Sequence, residues 1–151
     1  MIKQTTISKE VKIEGLSLHT GKTATLLIKP AEPNTGYVFV RTDIENNPKI
    51  QAVAENVIDT SRGTTIGKNG VNVSTIEHLL ATTYALGIDN VIFEINGPEV
   101  PILDGSGKQF VEAYKNTEII EQDAERIVFN IEENLSFIDE EKNIEISVYP
   151  D

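Results

Sequence analysis

At 151 residues, 39% hydrophobic and 25% charged, the chain is sized for one globular domain, or for a compact domain plus a fragment of a second. A net charge of −11 disfavours a nucleic-acid partner, and no apolar run approaches the roughly 20 residues of a bilayer-spanning helix. The absence of cysteine removes thiolate zinc sites and cysteine nucleophiles.

The opening MIKQTTISKE carries no apolar signal core, so export is not expected and a cytoplasmic location is. Alternating apolar positions then predict strands at Thr5-Thr6-Ile7, Val11-Lys12-Ile13, Thr25-Leu26-Leu27-Ile28, Tyr37-Val38-Phe39-Val40 and Ile50–Ala54. Gly15, Gly21, Pro30, Pro33-Asn34-Thr35-Gly36 and Asn46-Asn47-Pro48 interrupt them at the short intervals of antiparallel sheet. Thr64–Ile66 and Val71–Val73 flank Lys68-Asn69-Gly70, a hairpin signal.

Ser74-Thr75-Ile76-Glu77 has the form of a capping box and predicts a helix. Ile76, Leu79, Leu80, Thr83, Tyr84 and Leu86 fall on one arc of it, His78 points roughly opposite, and Gly87 supplies the stop. After a strand at Asn90–Ile95, a second helix opens past Asp104-Gly105-Ser106 with Phe110, Val111 and Tyr114 as its buried stripe. The fold class is therefore α+β: a two-layer sandwich, mainly antiparallel sheet with helices on one face, plus a C-terminal β-hairpin.

Composition breaks near position 118. Residues 1–117 carry 13 acidic and 11 basic side chains, whereas residues 118–151 carry 11 acidic and 2 basic. The domains follow: 1–117 as the folded unit, 118–124 as an acidic linker, and 125–151 as a hairpin with strands at Arg126–Ile131 and Asn143–Tyr149. An isolated hairpin is marginal in water, so the expectation is either a truncated second domain or a borrowed partner.

Chemistry concentrates in Val73-Ser74-Thr75-Ile76-Glu77-His78-Leu79-Leu80. An outward imidazole at 78 can ligate a metal while the neighbouring carboxylate takes a proton from water. On pattern alone Glu77 equally serves as the third residue of a capping box, the more frequent role, and His78 as a plain exposed histidine. A catalytic zinc takes about three protein ligands, and the only other histidine is His19, in a glycine-bracketed loop whose spacing favours a simple turn. Gly97–Gly107 forms a rigid connector into the second helix; with Gln109 after Lys108 it lacks the ending of a phosphate loop.

Together, Gly15-Leu16-Ser17-Leu18-His19-Thr20-Gly21-Lys22, Ala54-Glu55-Asn56-Val57, Val73–Leu80, Gly87-Ile88-Asp89-Asn90 and Pro98–Ser106 resemble, in order and spacing, the UDP-3-O-acyl-N-acetylglucosamine deacetylases of lipid A synthesis. The resemblance spans residues 1 to about 115. It implies zinc as cofactor, His78 as a metal ligand, Glu77 as the general base, and Leu18 and His19 near the cleft that takes a UDP-linked acylated amino sugar. It implies further that a second domain supplies the other two ligands, a His and an Asp, together with the general-acid His, and that residues 125–151 are that domain's first hairpin. Thr60-Ser61-Arg62-Gly63-Thr64 departs from relatives that carry apolar or sulfur-containing residues there; Arg62 becomes a candidate contact for an anionic substrate, beside the commoner role of a surface arginine. The implied fragment is inactive by itself. The competing class is a non-enzymatic carbohydrate- or protein-binding module of the same fold, since fold alone does not settle function. A weaker third is a scaffold that dimerises through the hairpin edge.

Overall fold

In the computed structural model, which describes residues 2–150, twelve strands and two α-helices follow one another along the chain. The first five strands are β1 (Lys3–Ile7), β2 (Val11–Leu16), β3 (Thr23–Pro30), β4 (Tyr37–Arg41) and β5 (Lys49–Gln51). A 3-10 turn at Ala54–Asn56 leads into β6 (Val57–Asp59), β7 (Thr65–Lys68) and β8 (Val71–Ser74), which form a separate three-stranded sheet. Helix α1 (Glu77–Ala85), β9 (Val91–Ile95), helix α2 (Lys108–Tyr114), β10 (Ile119–Glu125), β11 (Leu135–Asp139) and β12 (Ile144–Val148) complete the order.

The main sheet has spatial order β2-β3-β9-β4-β5, antiparallel except where β4 runs parallel to β9. Its register aligns Val11, Ile28, Phe93, Phe39 and Ile50 in one row across all five strands, and every one of them is buried. Period-2 alternation produces this row, because a strand sends successive side chains to opposite faces. Phe39 and Phe93 meet at a centroid distance of 4.9 Å. Leu79 of α1 and Phe110 and Tyr114 of α2 belong to the same core cluster, so both helices pack on the sheet's apolar face. Between the helices, the buried hydroxyls of Thr83 and Tyr114 pair at 2.7 Å, which spares each the cost of burial without a partner. Among the described residues no helix is long and apolar enough to cross a membrane.

The Asn69-Gly70 turn forms as expected, with φ of 53° and 80° at the two positions. Elsewhere the structure departs from expectation. Ser74 does not cap α1. It is the last residue of β8, its amide donates to the Pro98 carbonyl at 2.9 Å, and its hydroxyl donates to the same carbonyl. Helix α1 starts at Glu77 behind Ile76, which has helical dihedrals and no side-chain cap. Tyr84, placed on the buried arc by its spacing, is 79% exposed, while Thr82 is buried in its stead. Strand β5 ends at Gln51 because the chain turns into the 3-10 segment, and β6 had no distinct signal.

The acidic segment expected to be a linker is instead β10, paired antiparallel with β1. Its charges point outward, as in the Lys3–Asp123 pair at 3.0 Å, while Gln122 turns inward. There Asn90 Nδ2 donates to Gln122 Oε1 at 2.7 Å, and Gln122 Nε2 donates to the Ala31 carbonyl at 2.7 Å. Residues 127–131 form no strand; the hairpin is β11 with β12, pairing Leu135 with Val148 and Phe137 with Ile146.

Candidate functional site

Three connecting segments converge at the N-terminal end of α1. The β2–β3 loop carries His19, the β6–β7 loop carries Ser61, Arg62 and Gly63, and Thr75 joins β8 to α1. They line a cleft of about 210 Å³ together with Asp59, Thr65 and Ser74. Each loop has a local cause. Asp59 accepts bonds from the amide and hydroxyl of Ser61 at 3.0 and 2.8 Å, closing a tight turn, and the Ser61 amide holds the Asp59 carboxyl below the usual carboxylate range. Thr75 adopts φ 58°, an uncommon conformation for a β-branched residue, and so swings the chain from strand into helix.

Glu77, first residue of α1, reaches back to the cleft rim, where its Oε2 accepts the Thr64 amide at 3.0 Å. Gly63 has φ 145°, and a Cβ placed there would lie 2.9 Å from Glu77 Oε1. The carboxylate therefore occupies space that only glycine leaves open. It does not reach back to Ser74, so the capping-box role falls away.

His78 is half-buried and absent from the apolar core. It borders a shallow cavity of about 280 Å³ between the helices, with Ala81, Thr82, Ala85, Leu86, Gly107 and Val111. Close approach of α1 and α2 shapes this cavity: a Cβ on Gly107 would meet Thr82 Oγ1 at 2.7 Å. The structure thus brings His19 and Arg62 into one cleft, sets Glu77 at its rim, and turns His78 toward the neighbouring cavity. Leu18 lies beside the cleft without lining it, 58% exposed.

One residue that the sequence did not single out is central. Glu99 is 1% exposed, and its carboxylate accepts the amides of His19 at 2.9 Å and Thr20 at 2.8 Å and the hydroxyl of Thr75 at 3.0 Å. Burial pushes this carboxyl up, yet the His19 and Thr20 amides and the Thr20 and Thr75 side chains outweigh it and hold the group below its ordinary value. A glutamate between Pro98 and Pro101 was the only available signal, and it read as connector.

Among the described residues no group of three or more His, Asp or Glu side chains is placed to hold a metal ion. The donors here are the His78 imidazole and the Glu77 carboxylate. They fit a zinc site as one ligand with an adjacent base, short of the roughly three protein ligands a catalytic zinc takes.

Fold and site together define an α+β domain with a carboxylate–imidazole pair at a helix start beside a polar cleft. The chain belongs to the UDP-3-O-acyl N-acetylglycosamine deacetylase (LpxC) family, whose profile matches residues 4–151. It is 46% identical over 150 residues to a bifunctional enzyme LpxC/FabZ of Chlorobaculum tepidum, covering 99% of this chain and 32% of that protein. It is 44% identical to a UDP-3-O-acyl-N-acetylglucosamine deacetylase of Syntrophotalea carbinolica, over 97% of this chain and 47% of that protein. A deacetylase of the same name from a Geobacter species is 51% identical over 113 residues, 75% of this chain and 37% of that protein. The chain thus spans about a third to a half of these relatives' length.

Proposed function

We propose that the chain is the N-terminal portion of a zinc-dependent deacetylase that hydrolyses the N-acetyl group of a UDP-linked 3-O-acylated glucosamine in lipid A synthesis, in the cytoplasm. The observation that carries this is the disposition of Glu77 and His78. The carboxylate is fixed at a polar cleft by the Thr64 amide, and the adjacent imidazole stays outside the core.

Zinc, when bound, supplies Lewis acidity that acidifies water and polarises the acetyl carbonyl. His78 is the ligand this chain contributes. The remaining donors belong to the part of the protein that the longer relatives have and this chain does not cover. Glu77 takes the proton of the attacking water, and the Thr64 amide keeps its carboxylate aimed while it does so. Protonation of the departing amine is assigned to that same further part. His19 and Arg62 line the cleft and contact the substrate, Arg62 suiting its anionic diphosphate, and Leu18 flanks them.

In the full-length protein, Glu77→Gln is expected to keep its zinc and to lower turnover by about 10²-fold to 10⁴-fold, the usual contribution of a general base. Unchanged turnover would reduce Glu77 to a structural acceptor for Thr64. The 151-residue chain alone is expected to show no deacetylation and to bind zinc weakly. A calorimetric titration giving one tight zinc per monomer contradicts that assignment of ligands.

A further inference from the structure

Glu99 is a fully buried carboxylate that the proposed chemistry does not use. It sits where two segments that line the cleft cross. Its own backbone bridges to Ser74 in parallel register, the Ser74 amide donates to Pro98, the Val100 amide donates to the Ser74 carbonyl at 3.1 Å, and Ser17 Oγ donates to the Glu99 carbonyl at 3.0 Å. The backbone thus knits the connector to β8 on one side and to the β2–β3 loop on the other. The carboxylate then completes the tie. One oxygen takes the His19 amide and the Thr75 hydroxyl, and the other takes the Thr20 amide.

We propose that Glu99 is a positioning residue of this site, a buried latch that fixes the His19 loop against the left-handed Thr75 and so sets the shape of the cleft that Glu77 rims. The inference rests on the deacetylase reading only for the identity of the substrate. The latch itself is independent of it.

The chemistry of the pocket explains why a carboxylate is needed. Three donors converge, and an ionised carboxylate offers acceptors only. Glutamine presents one amide oxygen and one NH2, so replacing Glu99 sets a donor against either Thr20 or the His19–Thr75 pair. A charge-assisted bond lost in a buried site is worth about tenfold or more in local opening. Thr75 depends on the same latch: its φ of 58° is costly for a β-branched residue, and the bond to Glu99 offsets part of that cost.

The test uses the full-length zinc protein with Glu99→Gln, Thr75→Val and Thr75→Ser. Amide exchange is followed at His19 and Thr20, with Phe93 in the core of β9 as control, alongside KM, kcat and zinc content. For Glu99→Gln the expected result is about tenfold faster exchange at His19 and Thr20 with Phe93 unchanged, KM raised about tenfold, kcat within about threefold, and full zinc content. Thr75→Val moves the same quantities in the same direction by less, Thr75→Ser restores them, and this pair decides the matter if the glutamine variant does not fold. Wild-type exchange at His19 and Thr20 overturns the proposal, as does a uniform rise that includes Phe93, or a fall in kcat at constant KM. Should the wild-type protein fail to deacetylate the amino sugar, the deacetylase reading falls alone. The exchange data and calorimetric binding of UDP then decide the latch.

Discussion

The Glu77 carboxylate is held by contacts that leave no room for an ordinary side chain opposite it. Gly63 supplies the space twice over, through a φ that L side chains rarely adopt and through the missing Cβ, whose place lies 2.9 Å from Glu77 Oε1. Gly63→Ala must therefore shift the loop, the carboxylate, or both, at a cost of about 1–3 kcal/mol. In the full-length protein we expect lowered kcat with zinc retained, and a crystal structure of the variant showing the Thr64 amide detached from Glu77. Undiminished kcat would show that the fixed carboxylate position is not needed for turnover. Glu99 offers a second residue-scale check through pH. Its ordinary value is 4.5 and its folded value is lower, so its ionised bonds stabilise the fold fully above 4.5 and are lost as pH falls through the folded value. Urea unfolding of wild type and Glu99→Gln should therefore show a stability gap at neutral pH that narrows below 4.5. A gap independent of pH would mean that charge is not what Glu99 contributes.

At the scale of elements, the legible parts were those governed by local rules. The apolar alternation of β2, β3, β4 and β9 and the Asn69-Gly70 turn each depend on residues close in sequence, and each formed as expected. What escaped reading depends on partners distant in the chain. Ser74-Thr75-Ile76-Glu77 looks like a cap until Pro98 and Glu99, two dozen residues on, claim Ser74 and Thr75 for a strand edge. Tyr84 sits at the correct helical spacing for burial, yet the buried side of α1 is the one that holds Leu79, Thr82 and Thr83. Of the site, Glu77, His78 and His19 stood out by residue type. Glu99 did not, because its role is defined by three donors from two other segments. Arg41 is similar: buried in β4, it pairs with Asp43 and donates to the Asn72 carbonyl at 2.6 Å, clamping the three-stranded sheet to the main one. Nothing in the run Tyr37-Val38-Phe39-Val40-Arg41 marks that role.

At the scale of the whole molecule, the question is where the folded unit ends. Charge composition divides the chain at 118, but the contacts divide it later. Strand β10 pairs with β1, Gln122 closes the buried network of Asn90 and Gln4, and Arg126 donates to the Gly87 carbonyl and pairs with Asp89 at 2.8 Å. Past Arg126 the character changes, since Ile127, Phe129, Phe137 and Ile146 are all more than half exposed and, among the described residues, the hairpin strands pair with each other and not with the main sheet. The relatives that the chain matches are two to three times longer than it is. Two truncations separate these views. A chain ending at Arg126 should melt within about 2 °C of the 151-residue chain, because the hairpin it loses is not packed on the core. Ending at Thr117 instead strips β1 of its partner and leaves Asn90 Nδ2 short of an acceptor, costing about 1–3 kcal/mol for that group alone and lowering the melting temperature by roughly 3–10 °C. Equal stability of the two shortened chains would return β10 to the status of a linker, whereas an equal loss in both would mean that the hairpin, exposed as it is, supports the core.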